Sequence, residues 1–318
     1  MIPYSWLEQA AERIAPHVKK TPIIRDAENQ IYLKLENQQV TGSFKVRGAI
    51  NKVLTLQDWE RKKGLVTASA GNHGQGVALA GKLVEAQVII FASEHAVPAK
   101  IEAMQALGAE VHLVEGGYGE AEEAGLAYAA SGGSTWISPY NDGQVIAGQG
   151  TVGLEILDQI PDLPNSTWVV PVGGGGLISG IGAAIKTDAI EKTTSRKLIA
   201  AQSEASAFMH AIFRHGSQDE AVDLPSLADG LAGPVEANSI TIPLVRRYVD
   251  EFVLVSEGDI AAAIAYAWKR YHERIEGSAA AALATVLSGK ISSRPAIIVI
   301  SGGNIQAEVH AEILGRYS

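Results

Sequence analysis

Two spacings of apolar residues alternate along this chain. Short apolar runs of about four or five residues recur between longer stretches whose apolar positions return every three or four residues. The runs read as buried strands and the stretches as helices packed on one face. Ser5 followed by Glu8 predicts a capped helix with Leu7, Ala11 and Ile14 on one face, ended by Pro16. Thr21-Pro22 begins an extended segment, and Ile31 to Leu35 alternates like a strand. A helix is expected from Arg47 to Leu56. From Leu65 the pattern is regular: strand Leu65-Thr67, helix Gly74 to Val84, strand Val88-Phe91, a helix with Pro98 in its first turn, strand Val111-Val114, a helix from Glu120 to Ala130, and Ser134-Ile137.

The second half repeats the rhythm. A long helix follows Gly143 to about Ile160, punctuated by Pro161 and Pro164. The apolar strand Trp168-Val172 runs into four glycines, and a helix is expected from Leu177 to Ala184. Strand Leu198-Ala200 leads into a helix through Phe208. Residues 216 to 237 read as irregular, Phe252-Val255 as a strand, and Ser256 with Asp259 as a capped helix start. An Ala-rich helix spans 279 to 287, and Ala296-Ile300 is the last strand. Alternation of strand and helix with short loops implies parallel sheets with helical crossovers. The four strands between 65 and 137 suffice for a small domain.

Composition narrows the function classes. The 318 residues are 47% apolar, enough for a sizeable core. A net charge of −9 argues against nucleic-acid binding. The absence of cysteine removes disulfides, thiolate metal sites and cysteine nucleophiles. Neither a signal peptide nor a run of about 20 apolar residues is present, so a cytoplasmic protein without membrane contact is expected.

The chemistry sits in four loops. Thr41-Gly48 holds one lysine, Lys45, just after Phe44 and between two glycines. Ser69-Ala70-Gly71-Asn72-His73, Gly173-Gly174-Gly175-Gly176 and Ser301-Gly302-Gly303-Asn304 each follow an expected strand and precede an expected helix. That is where open α/β sheets bind ligands. Four glycines at a helix start let backbone amides approach an anion closely, so residues 173–176 form a phosphate cradle. Leu177-Ile178 stands where a nucleoside-triphosphate loop would carry Lys-Ser/Thr, and no acidic residue ends the next strand to hold a dinucleotide ribose. A phosphate site without a nucleotide, beside a reactive lysine, points to pyridoxal phosphate.

The segments Ser43-Phe44-Lys45-Val46-Arg47-Gly48-Ala49, Ala68 to Ala78, Val145 to Thr151, Pro171 to Leu177 and Ser301 to Asn304 resemble those of the threonine dehydratase and serine racemase family, pyridoxal-phosphate enzymes of the tryptophan-synthase-β fold. The likeness covers nearly the whole chain in order. It implies an α/β protein with two open, twisted, mostly parallel sheets flanked by helices. Residues 1–49 and 142–318 would form a large cofactor-binding domain, and 50–141 a small mobile domain closing over the substrate. Lys45 would form the Schiff base and, once freed, take the Cα proton. Phe44 would lie against the pyridine ring, and Asn72 would hydrogen-bond the ring hydroxyl. Gly173 to Gly176 with Leu177 would hold the phosphate, and Gly230 would complete the cofactor site. Ser301 would face the ring nitrogen; a neutral hydroxyl there weakens the electron sink and suits β-elimination. Ser69, Ala70, Gly71, Asn72 and His73 would grip the substrate, with His73 not the base. Tyr140 stands beside the substrate side chain, where threonine dehydratases usually show Phe.

The implied reaction is dehydration and deamination of L-threonine or L-serine to a 2-oxo acid and ammonia. Alternatives are a hydroxyaspartate or phenylserine dehydratase, a serine racemase, a β-replacement transferase and a non-catalytic carrier of the cofactor. Racemases of the family carry serine where Ala70 stands, and alanine cannot transfer a proton. Gln202 and Phe208 occupy positions where relatives hold a divalent ion with acidic side chains, so no metal is expected unless Glu204 compensates. The usual Glu-Pro-Ser/Thr-Gly signature reads Glu276-Gly277-Ser278-Ala279. With no second domain after Ser318, a short form without a regulatory domain is expected, acting on a small amino acid and assembling as a homodimer or tetramer.

Overall fold

The computed structural model describes residues 1–163, 165–192 and 195–317; Pro164 and Ser318 lie outside them. Among the described residues ten strands form two sheets. The first contains β1 (Ile23–Asp26), β2 (Ile31–Leu35), β7 (Ser166–Pro171), β8 (Arg196–Ser203), β9 (Glu251–Val255) and β10 (Ala296–Ile300) in the order β1-β2-β10-β7-β8-β9. Only β1 runs antiparallel to its neighbour. The second sheet contains β3 (Leu65–Ala68), β4 (Val88–Ser93), β5 (Glu110–Val114) and β6 (Thr135–Trp136) in the order β5-β4-β3-β6, all parallel.

Burial follows strand position. Every residue of β7 and β10, in the middle of the larger sheet, is buried, which is why both read as unbroken apolar runs. The edge strands β5 and β9 keep exposed residues. One core lies on each face of the larger sheet, around Trp168 and Ile181 on one side and Ile264 and Leu283 on the other. The Ala-rich helix Gly277–Leu287 is buried along nearly its whole length, since small side chains let it lie tight on β10, β7 and β8. Helices Gly143–Gln159 and Gly176–Lys192 approach through glycines: a Cβ on Gly180 would stand 2.5 Å from the Gly150 nitrogen. That contact fixes the second helix, and with it the glycine loop at its start.

Several expectations are corrected. The first helix runs Tyr4–Ile14 with Pro3 as its cap; Trp6 N–H donates to the Pro3 carbonyl (3.0 Å), so Ser5 lies inside the first turn and caps nothing. Its buried face is Leu7, Ala10 and Ile14, with Ala11 at the margin. By contrast Ser256 and Asp259 form the expected reciprocal cap. The helix after the lysine loop begins at Lys45, two residues early, because Phe44 is already helical and accepts from Arg47 N–H (3.0 Å). Phe208 opens a helix, Phe208–His215, where one was expected to end. Strand β8 instead runs on to Ser203, whose hydroxyl accepts from Ala205 N–H (3.1 Å), a local bond that competes with helix. Helices Asp58–Lys62 and Thr241–Tyr248 were not expected, whereas the helix expected after Ser301–Asn304 is Ala307–Arg316. Among the described residues no helix is long and apolar enough to cross a membrane.

Candidate active site

The loops singled out by sequence all leave the carboxyl ends of parallel strands. Lys45 starts the helix Lys45–Thr55, and its Nζ donates to the Pro139 carbonyl at 2.9 Å. The Phe44 ring centroid is 5.5 Å from that nitrogen. Phe44 N–H donates to the Ser301 carbonyl (3.0 Å), and Ser43 pairs with Gly302 in an isolated bridge. The lysine loop is thereby stitched to the end of β10. Burial lowers the Lys45 pKa to about 8, although the Glu276 carboxylate pulls the other way.

The Ser69–His73 loop closes on itself, Gly71 N–H donating to the Ser69 hydroxyl (3.1 Å). Ala70 sits partly exposed in it. Asn72 opens the helix Asn72–Leu83 and reaches the other sheet. Its Nδ2 donates to both Glu276 oxygens (2.8 and 3.0 Å), and its Oδ1 accepts from Asn304 Nδ2 (2.7 Å). Glu276 also accepts from Asn304 N–H (3.2 Å) and is pushed up to about 7, by burial first and then by Asp229. His73 is buried, with Nε2 3.0 Å from the Ile137 carbonyl, so the proton belongs on Nε2. Burial, with the Lys45 charge adding, lowers its pKa to about 3, so it is a neutral imidazole whose buried Nδ1 has no partner among the described residues.

The glycine quartet joins this cluster through Tyr140. A Cβ on Gly174 would lie 2.5 Å from the Tyr140 ring, and one on Gly176 would lie 3.0 Å from Tyr140 Cβ. Gly175 takes φ +86, a backbone that side chains resist. The Tyr140 hydroxyl accepts from Glu236 N–H (3.0 Å), so it is spent on the chain behind the loop. Leu177 buries its side chain in the core and offers the site only its backbone. Gly230 is exposed; its N–H lies 3.1 Å from the Ser278 hydroxyl and 2.8 Å from Asp229 Oδ1. Leu231 packs on Gly173, a Cβ there meeting Leu231 Cα at 3.0 Å.

Sequence reasoning gave no role to Glu276, Asn304 or the Pro139 carbonyl. The first two stood inside quoted motifs; no residue type signals a backbone carbonyl. The donor set matches pyridoxal phosphate. The quartet is packed so closely that a Cβ on any of its glycines would meet protein atoms at 2.5–3.1 Å, and it sits at a helix start whose first amides have no intrahelical acceptor. Beside it stand a lysine that is part-neutral near physiological pH, an aromatic face and a half-buried amide. The position where relatives hold a divalent ion is different. Gln202 is buried with Oε1 accepting from His210 N–H (3.0 Å), Phe208 is in the core, and Glu204 pairs with Lys290 at 3.2 Å. These residues do not fit a divalent ion, and among the described residues no other acidic or histidine cluster does.

Fold and donor set define a pyridoxal-phosphate enzyme, and residues 14–302 match the family model described as pyridoxal-phosphate dependent enzyme; the chain belongs to that family. It is 43% identical over 288 residues to the L-threonine ammonia-lyase of Thermotoga maritima, covering 90% of this chain and 70% of that one. Processed threonine deaminase isoform 2 of Solanum lycopersicum superposes with a TM-score of 0.85 at 30% identity, covering 98% of this chain and 94% of that one. Maize serine racemase gives 0.86 at 30%, covering 98% and 97%.

Proposed function

We propose that the protein is a threonine ammonia-lyase, converting L-threonine, and L-serine as a smaller substrate, to a 2-oxo acid and ammonia. The observation that carries this is the Lys45 amine, half-buried with a pKa of about 8 and aimed by the Pro139 carbonyl into a site with a phosphate cradle. Bound pyridoxal phosphate supplies an electron sink that acidifies the Cα–H of an amino acid and expels its β-hydroxyl. Lys45 anchors that group and, when free, takes the Cα proton. Gly173 to Gly176, with the Leu177 amide and Gly230, hold the phosphate. Phe44 would cover the ring face, Asn72 would leave Glu276 to meet the ring hydroxyl, and Ser301 would meet the ring nitrogen. Ser69, Gly71, Asn72 and His73 receive the substrate carboxylate on loop amides, and Tyr140 borders the side-chain space. Residues 50–141 act as the closing unit.

Ala70 supports elimination over racemization, since a methyl group cannot deliver a proton to the second face. The test is a panel of L- and D-serine, L-threonine, 3-hydroxyaspartate and phenylserine with cofactor-loaded protein, scored for 2-oxo acid and for enantiomers. L-Threonine should give 2-oxo acid, and Lys45→Ala should give none. Silence from every substrate, or D-serine appearing from L-serine as fast as oxo acid, ends this reading.

A further inference from the structure

Lys100 stands against its local preference. It lies in the first turn of the helix Pro98–Ala106, where a cation opposes the helix dipole. Its stem crosses the substrate loop: Cδ is 3.9 Å from where a Cβ on Gly71 would stand, and nothing else is within 4 Å. Its ammonium donates to Asp229 Oδ2 at 2.8 Å, while Asp229 Oδ1 accepts from Gly230 N–H (2.8 Å). Among the described residues it is the one ion pair joining 65–136 to the rest of the chain. The Lys100 side chain keeps only 20% of its exposure, against 62% for Asp229. Both charges reach Glu276, Asp229 raising its pKa and Lys100 lowering it.

We propose that Lys100 is a positioning residue: paired with Asp229, it clasps the Ser69–His73 loop against the Asp229–Leu231 turn and adds positive charge beside the carboxylate of the bound substrate. This rests on the ammonia-lyase reading, which puts an amino-acid carboxylate on that loop. The geometry closes the mouth of the site from both sheets with one bond. That bond is half-exposed, so it opens readily for substrate and product.

The experiment uses cofactor-loaded protein and four variants: Lys100→Met, Lys100→Arg, Asp229→Asn and the neutral pair. Lys100→Met and Asp229→Asn should each raise KM for L-threonine about two- to fivefold, with kcat within about twofold, the range of a part-exposed ion pair. Lys100→Arg should stay near wild type, and the neutral pair should be no worse than Lys100→Met. Salt should raise the wild-type KM and leave that of Lys100→Met nearly flat. Amide hydrogen exchange over 69–76 and 226–233 should quicken in both single variants. An unchanged KM in Lys100→Met, a lower KM in Asp229→Asn, additive losses or unchanged exchange each overturn the clasp. Exchange is read without turnover, so a protein forming no 2-oxo acid sinks the lyase reading while the clasp is still judged by exchange.

Discussion

A protonated amine cannot attack an aldehyde, so the pKa of Lys45 sets when the protein can take up its cofactor. Burial brings it from an ordinary 10.5 to about 8, with Glu276 opposing. The rate at which stripped protein captures pyridoxal phosphate should climb about tenfold per pH unit up to about 8 and then level off. Stopped-flow absorbance measures this; a rate still climbing near pH 10 would mark Lys45 as an ordinary solvated amine. Glu276 gives the opposite sign. Its pKa is raised from 4.5 to about 7, so the folded state keeps a proton that the unfolded chain releases in that window. Its contribution to stability is full below about 4.5 and is lost as pH rises through about 7. Glu276→Gln escapes that loss. Relative to wild type, the variant should gain on the order of 1–3 kcal/mol between pH 5 and pH 8 in denaturant titrations. A difference that is flat with pH would mean that Glu276 is charged throughout. Lys45, Asn72 and Ser301 were legible because each stands in a glycine-marked loop. Glu276 was legible only as a letter of a motif, since its bond to Asn72 spans 204 positions and no spacing in the chain announces it.

Two elements carry the site, the helix that begins at Lys45 and the glycine loop. The first is anchored by Arg47, whose guanidinium is fully buried between Glu36 (2.7 Å) and Glu155 (2.7 Å), with Lys34 on Glu155 at 2.6 Å. Removing one partner strands buried charge, so Arg47→Met should cost about 3–5 kcal/mol in denaturant unfolding. A cost under about 1 kcal/mol would mean that the pairs are screened like surface ones. The glycine loop is limited by Tyr140, which is pinned at its hydroxyl and cannot swing from a Cβ on Gly174. Gly174→Ala should cost about 1–3 kcal/mol and loosen cofactor binding, whereas Gly119→Ala, with open space around it, should be neutral or slightly stabilising. Equal effects at the two glycines, read from Tm and cofactor titration, would remove Tyr140 as the cause. Strands with both faces buried were plain as apolar runs. The helix expected after Ser301–Asn304 is Ala307–Arg316, where Val309 and Ile313 keep helical spacing and Glu308 and Arg316 suit its ends. Thr241–Tyr248 was not expected; its Pro243 falls in the first turn, where proline is tolerated.

The polar bonds by which the two sheets meet across the site include Asn72 to Glu276 and Asn304, Lys45 to the Pro139 carbonyl, Asn141 to Glu236, and Lys100 to Asp229. Periodicity along the chain announced parallel strands but not which strands pair. That β6 adds to β3, and that β10 inserts between β2 and β7, is set by long-range packing; the two-sheet plan was available only through family resemblance. Held as proposed, by Lys45 and the glycine quartet on the larger sheet and by Asn72 on the smaller one, the cofactor would add a further tie between the two. Stripping it should therefore destabilise the whole molecule, because a ligand present at about a hundred times its Kd adds about 2.7 kcal/mol to the folded state. For a chain of this size that corresponds to a Tm lower by about 4 °C, restored as the logarithm of added pyridoxal phosphate. Calorimetry gives the magnitude, and hydrogen exchange gives the place. Faster exchange should appear together in the Ser69–His73 loop of the smaller sheet and in the Gly173–Gly176 and Ser301–Asn304 loops of the larger. Exchange quickening on the larger sheet alone would mean that the group is held from one side, and that Asn72 stays docked on Glu276 whether or not the cofactor is there.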